Sequence, residues 1–159
     1  MITWQWCRLE DLAACRLYAV CAAREAVFVV EQGCAYQELD GLDMEAEHLV
    51  AWSGNGVAAY LRLLGPGIKA PEPMLGRIMT AASFRGLGLG RQLVERGLAR
   101  VAQCFPGQAV RISAQTHLQG FYRKFGFEAV SECYLEDGIA HVDMLYSAPV
   151  IQVPPHNTA

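Results

Sequence analysis

The stretch Ser83–Gly97, SFRGLGLGRQLVERG, decides how this chain is read. Gly86, Gly88 and Gly90 alternate between Arg85 and Arg91. The residues after the loop are helical in pattern, with Leu89, Leu93, Gly97 and Val101 on one face and Val94, Leu98 and Phe105 beside them. A glycine loop that opens a helix presents backbone N–H groups with no intrahelical partner, and the helix dipole adds about half a positive charge there. Glycine lets an anion approach the backbone because no Cβ stands in the way. The loop is therefore a candidate phosphate cradle, with the two arginines as charge-assisted partners. A turn with close helix packing and two solvated arginines is the plainer alternative. Spacing excludes two common phosphate motifs. The loop has no G-K-[ST] after it, as a P-loop needs, and the last glycine of G-x-G-x-x-G would fall on Arg91 or Leu93.

Upstream of the loop, MLGRIMTA predicts a strand over about 75–81, and downstream of the helix AVRISA predicts another over 109–114. Strand, loop, helix and strand then form a right-handed parallel crossover. Nearer the start, TWQWC (3–7) alternates as a strand does. From Leu9 to about Val30 there is no Gly or Pro, which predicts one long helix with Leu12, Tyr18 and Val20 on its apolar face. The β-branched run AVFVVE favours a bend at its end. HLVAWS and VAAYLRLL flank SGNG, a tight hairpin turn, and GPGIKAPEP is a surface loop. THLQGFYRKFG predicts a short helix capped by Thr116 and ended by Gly126. FEAVSECYLE and AHVDMLYS close the chain as a hairpin. The expected fold is mixed α/β, with a mostly antiparallel central sheet of six to seven strands and helices on both faces. Residues 1–148 make one domain and 149–159 a frayed tail.

Composition agrees with a globular protein. The chain has 159 residues, 53% of them hydrophobic and 18% charged. A net charge of −3 gives no electrostatic footprint for nucleic acid. No apolar run approaches the ~20 residues of a membrane span, and MITWQWCRLED lacks the build of a signal peptide, so a cytoplasmic location is expected. Six cysteines show no C-x-x-C pair and no His at zinc spacing. They are expected to be reduced, mostly buried thiols, with Cys34 in a polar loop as the candidate reactive one.

The run Arg85-Gly86-Leu87-Gly88-Leu89-Gly90 has the form R-x-x-G-x-G. It resembles the coenzyme A pyrophosphate loop of the GNAT superfamily of N-acetyltransferases. The order of elements matches over about residues 2 to 147, and FYRKFGF (121–127) is similar to the family's tyrosine-bearing helix. REAVFVVEQ (24–32), AQTHLQGFYRKFGF and EDGIAH (136–141) resemble the ElaA-like subfamily within it.

The resemblance implies acetyl-CoA as co-substrate and no metal. Its pyrophosphate would lie on the loop from Arg85 to Arg91. Its pantetheine arm would run as an imitation strand along the backbone of Ile78, Met79 and Thr80, in a splay between the fourth and fifth strands. A free N–H near Met79 would meet the thioester carbonyl. Gln115 stands where the family often has an asparagine that bonds the pantetheine, and Leu118 and Phe121 fall on the same side. Tyr122 matches the family's general acid; a half-buried aromatic is the alternative.

The base is open. Glu31 is the first choice, since it ends an apolar run and is expected to face a cleft, with an ordinary helix-end carboxylate as the alternative. His141 in the last hairpin is the second, with a strand histidine pairing with Glu132 or Tyr134 as the alternative, and a water chain could replace either. His117 is either near the coenzyme or a surface cap. The acceptor would enter between residues 24–37, with Phe28, Gln32 and Tyr36, and the last hairpin with His141. Glu38, Asp40, Asp43, Glu45 and Glu47 form either a solvated loop or a negative rim for a cationic amine.

The expected activity is transfer of an acetyl group to a primary amine of a small molecule or peptide by direct attack in a ternary complex. A coenzyme A-binding module without catalysis and a nicotinamide or flavin enzyme are the alternatives. Partners are then the amine acceptor, no nucleic acid and no membrane, with a homodimer left open because many relatives dimerise.

Overall fold

A computed structural model of the chain describes residues 1–149; the expected tail lies outside the described residues from 150 onward. Eight strands form one sheet: β1 (Ile2–Cys7), β2 (Glu47–Ser53), β3 (Gly56–Leu64), β4 (Met74–Thr80), β5 (Val110–Gln115), β6 (Phe127–Ala129), β7 (Tyr134–Glu136) and β8 (Ile139–Tyr146). Their order is β1-β2-β3-β4-β5-β8-β6, with β7 also paired to β8. Every neighbouring pair is antiparallel except β4 and β5, which are parallel and joined at the single pair Met74–Arg111. Beyond that bridge the two strands part. This is the expected splay.

Hydrophobic alternation places two cores on the two faces of the sheet. Helix α1 (Ala14–Glu25) covers one face, where Val20 and Val27 meet Val50, Trp52, Tyr60 and Met79. Helix α2 (Leu89–Cys104) covers the other, where Leu93, Val94 and Val101 meet Leu49, Leu61, Leu63 and Leu75. A Cβ on Gly97 would lie 2.9 Å from Leu75 Cδ1 and 3.1 Å from Leu61 Cδ1, so glycine there lets α2 sit close on β3 and β4. The short α3 (Gln119–Arg123) packs Tyr122 into the same core.

Four expectations change in detail. The long helix is divided into a 3-10 turn (Leu9–Asp11), α1 and a π-helical stretch (Ala26–Glu31), and Tyr18 is 77% exposed rather than packed. The β-branched residues fall in the wider π turns, which crowd side chains less. Thr116 opens a 3-10 turn (Thr116–Leu118) and caps nothing, although Gly126 ends the segment as expected with φ +99°. The single strand expected over 127–136 is two, because Ser131 Oγ accepts the N–H of Asp143 at 2.9 Å in place of a main-chain partner. That interruption brings the strand count to eight. Finally, Cys15, Cys104 and Cys133 are exposed, so the thiols are not mostly buried, and all six are free.

Candidate active site

The loop between β4 and α2 is built by its glycines. Gly86 and Gly88 have φ of +83° and +75°, a left-handed conformation that side chains disfavour, and a Cβ on either would meet nothing within 4 Å. Gly88 is the N-cap of α2 and supplies no side-chain cap. The first intrahelical bond runs from Gln92 N–H to the Gly88 carbonyl, so the N–H groups of Leu89, Gly90 and Arg91 have no intrahelical partner. Arg85 lies beside them, its Nε donating to the Thr80 carbonyl at 3.3 Å.

From this helix start a cleft of about 640 Å³ runs into the splay. On the side of the loop it is lined by Ile78, Met79, Thr80, Arg85, Gly90, Gln115, Leu118, Phe121 and Tyr122. On the far side it is lined by Phe28, Gln32, Tyr36 and His141, with Cys34, Gln37, Ser113, Glu136 and Asp137. Thirteen residues expected at a site thus share one cavity. Gly86, Leu87, Gly88, Leu89 and Arg91 do not line it. Leu89 is buried under the helix start, and Arg91 pairs with Glu95 on the surface.

Tyr122 is 6% exposed and lines the cleft, and its hydroxyl has no hydrogen-bond partner among the described residues. Burial pushes its phenol up to about 12, so it holds its proton throughout the neutral range. Gln115 donates to Gln32 Oε1 at 3.2 Å across the cleft. His141 stacks on Tyr134 with ring centroids 6.1 Å apart. Its Nδ1 lies 2.7 Å from the Ile139 carbonyl, and a carbonyl only accepts, so Nδ1 carries the proton and Nε2 is the free acceptor of the neutral ring. Glu136 Oε2 is 3.8 Å from that Nε2.

Glu31 does not face the cleft. It is exposed and pairs with Arg85 at 2.6 Å, and the Arg85 hydrogen bond holds its carboxyl below the usual range. The π-helical turns before it set this direction. Cys34 is not an open thiol either, being buried with Sγ donating to the Asp137 carbonyl at 3.1 Å. The acidic stretch is not a solvated loop. Glu38 and Asp43 are buried with Arg24 and Arg62 in an ion network. Arg24 bonds Glu38 Oε1 and Asp43 Oδ1, each at 2.8 Å. Arg62 bonds Asp40 at 2.8 Å and Asp43 at 3.0 Å. Arg77 bonds Glu38 at 2.9 Å. Burial works against the charges of Asp40 and Asp43, but hydrogen bonds from Arg62 and Arg24 hold both carboxyls below the usual range. His48 Nε2 donates to the Asp43 carbonyl at 2.9 Å, so its Nδ1 accepts from the Tyr60 hydroxyl.

A family model described as an acetyltransferase (GNAT) domain matches residues 17–148. The chain belongs to the GNAT acetyltransferases. Among its GNAT relatives, Protein ElaA of Escherichia coli is 39% identical over 146 residues, covering 91% of this chain and 95% of that protein. The ElaA crystal structure matches with a TM-score of 0.86 at 38% identity, covering 92% of this chain and 100% of that one. An acyl-CoA N-acyltransferase from Pseudomonas aeruginosa matches with a TM-score of 0.88 at 43% identity, with coverage of 92% and 100%. A UPF0039 protein of Synechocystis is 39% identical over 149 residues, 93% of this chain and 97% of that protein. In this chain the splay, the glycine loop and the cleft occur together. No helix among the described residues is long and apolar enough to cross a membrane. Among the described residues no group of three or more His, Cys, Asp or Glu side chains is arranged to hold a metal ion.

Proposed function

We propose that residues 1–148 form one acyltransferase domain that moves an acetyl group from acetyl-CoA to a primary amine of a small molecule or peptide. One observation carries the reading. The helix start, where the N–H groups of Leu89, Gly90 and Arg91 lack intrahelical partners, meets at Gly90 a cleft that runs along β4 and is lined by Tyr122. An anion fits the first part and an extended amide-bearing arm the second. Arg85, Gly86, Leu87 and Gly88 would shape the pyrophosphate end. Ile78, Met79, Thr80, Gln115, Leu118 and Phe121 would flank the arm.

The acceptor would enter past Phe28, Gln32 and Tyr36. Its neutral amine attacks the thioester carbonyl carbon, the C–N bond forms and the C–S bond breaks. Tyr122 gives its proton to the leaving thiolate, the proton shed by the amine nitrogen passes to the base, and solvent returns a proton to Tyr122. Of the candidate bases, Nε2 of His141 is favoured, because it lines the cleft as an acceptor while Glu31 is held by Arg85. Glu31 then steadies the arginine over the coenzyme loop. Six free cysteines agree with a reducing, cytoplasmic setting.

The test is thiol release from acetyl-CoA across a broad panel of primary amines. Turnover with at least one amine is expected. Tyr122→Phe is expected to lower kcat about a hundredfold, with acetyl-CoA affinity changed less than about threefold. Tight acetyl-CoA binding without turnover on any amine would favour a sensor module.

A further inference from the structure

Arg77 is one of two non-glycine residues with positive φ among the described residues, at +50° in the middle of β4. Its backbone is forced by a bulge. Tyr60 pairs with Met79 and Arg62 with Gly76, so Leu61 alone faces both Arg77 and Ile78. A left-handed bulge position is one that glycine occupies at least cost. Here the position carries a side chain bound on every side. Nε donates to Glu38 Oε1 at 2.9 Å, and Nη2 donates to the Glu38 carbonyl at 2.9 Å and to Asp40 Oδ2 at 3.4 Å. The guanidinium also stands 5.6 Å from the Tyr36 ring and 6.0 Å from the Phe28 ring. Glu38 is held in turn by Arg24 of α1, and Asp40 by Arg62 of β3.

Below the bulge, Ile78, Met79 and Thr80 line the cleft, and β5 does not pair with them. Where that stretch of backbone points depends on how the bulge is held. We propose that Arg77 is a positioning residue for the acyl group: its clamp onto Glu38 and Asp40 fixes the bulge so that the N–H of Ile78, on the side of β4 away from β3, faces the thioester carbonyl. The same clamp ties the acceptor wall of Phe28 and Tyr36 to that backbone, so the two half-sites share one support. Arg77 touches no reacting atom in this role. The inference rests on the acetyl-CoA reading above, and its test is chosen to fail separately from it.

The probe is acetyl-CoA labelled with ¹³C at the carbonyl, observed by difference infrared spectroscopy on the intact protein without an acceptor. Wild type is expected to bind it and to shift the carbonyl stretch to lower frequency through the backbone hydrogen bond. Arg77→Gly removes the clamp while suiting the positive φ, so it is expected to fold. It should lose the shift and weaken acetyl-CoA binding about tenfold, the worth of one hydrogen bond, while free coenzyme A binds within about threefold of wild type. Arg77→Asn also tolerates the positive φ, is too short to reach Glu38 and Asp40, leaves both carboxylates with Arg24 and Arg62, and should lose the shift likewise. An unchanged shift in either variant overturns the inference, as does wild type that binds acetyl-CoA without a shift. Wild type that does not bind acetyl-CoA at all overturns the acyltransferase reading instead.

Discussion

Gly88 shows how one residue carries both fold and site. Its φ of +75° is the left-handed value that turns the chain from the loop into α2, and the space beyond it is empty of protein atoms. Valine there meets a conformational penalty of order 1–2 kcal/mol before any ligand arrives, and it also fills the room above Leu89–Arg91. Gly88→Val should therefore lower acetyl-CoA affinity at least tenfold by titration calorimetry, and lower the melting temperature as well. Gly88→Asn separates the two causes, since asparagine tolerates left-handed backbone. It should restore most of the stability and little of the affinity. Full recovery of affinity would mean that the loop needs only the conformation. The glycine pattern was legible in the chain because a loop of this kind acts through neighbours in sequence. The direction of Glu31 was not, because it depends on π-helical turns whose register no local pattern announces.

Among the elements, the network joining α1, the 38–43 segment, β3 and β4 is where sequence reading fell short. Five acids without a base look like a wet loop, and the partners of Glu38, Asp40 and Asp43 at 24, 62 and 77 lie on other elements. The signal was present on the other side of the pairs. Arg62 and Arg77 interrupt the apolar runs YLRLL and LGRIM, and Arg24 stands between the apolar stretches AVCAA and AVFVV, places where an arginine needs a buried partner. By contrast, the β2–β3 hairpin and the helix over 89–104 arise from adjacent residues and stand where expected, and the parted β4–β5 pair stands where the family resemblance implied it. Removing one member of a buried network strands the rest. Arg24→Met keeps the bulk of the side chain but leaves Glu38 and Asp43 short of a cation, and should cost about 3–5 kcal/mol by urea unfolding. A loss under about 1 kcal/mol would show that water enters and takes the place of Arg24.

For the molecule as a whole, these groups set a stability profile with two edges. Asp40 and Asp43 have carboxyls lowered in the fold from 3.8. Their contribution is complete above that value and is lost as the pH falls below it. Tyr122 and Tyr134 are raised from 10.0 to about 12, both mainly by burial. Their contribution is complete below about 10 and is lost as the pH rises toward about 12. Urea midpoints measured from about pH 3 to 11 should form a plateau from about 5 to 9, with a fall on each side. A midpoint that holds steady down to about pH 3 would place the carboxylates outside the groups that govern stability.

The single bridge between Met74 and Arg111 has a kinetic consequence. Strands β1–β4 come from residues 2–80 and strands β5–β8 from residues 110–146, so each half of the sheet is made of a continuous length of chain. Each half closes mainly over short loops, which form fast, while joining the halves requires α2 to bring its two ends together over the core. The seam is then the last part to assemble and the first to open, and amide protons along it should exchange with solvent sooner than those of the β2–β3 ladder. A molecule that holds β4 and β5 by one bridge thereby keeps its least protected backbone where an incoming chain-like ligand would complete the sheet.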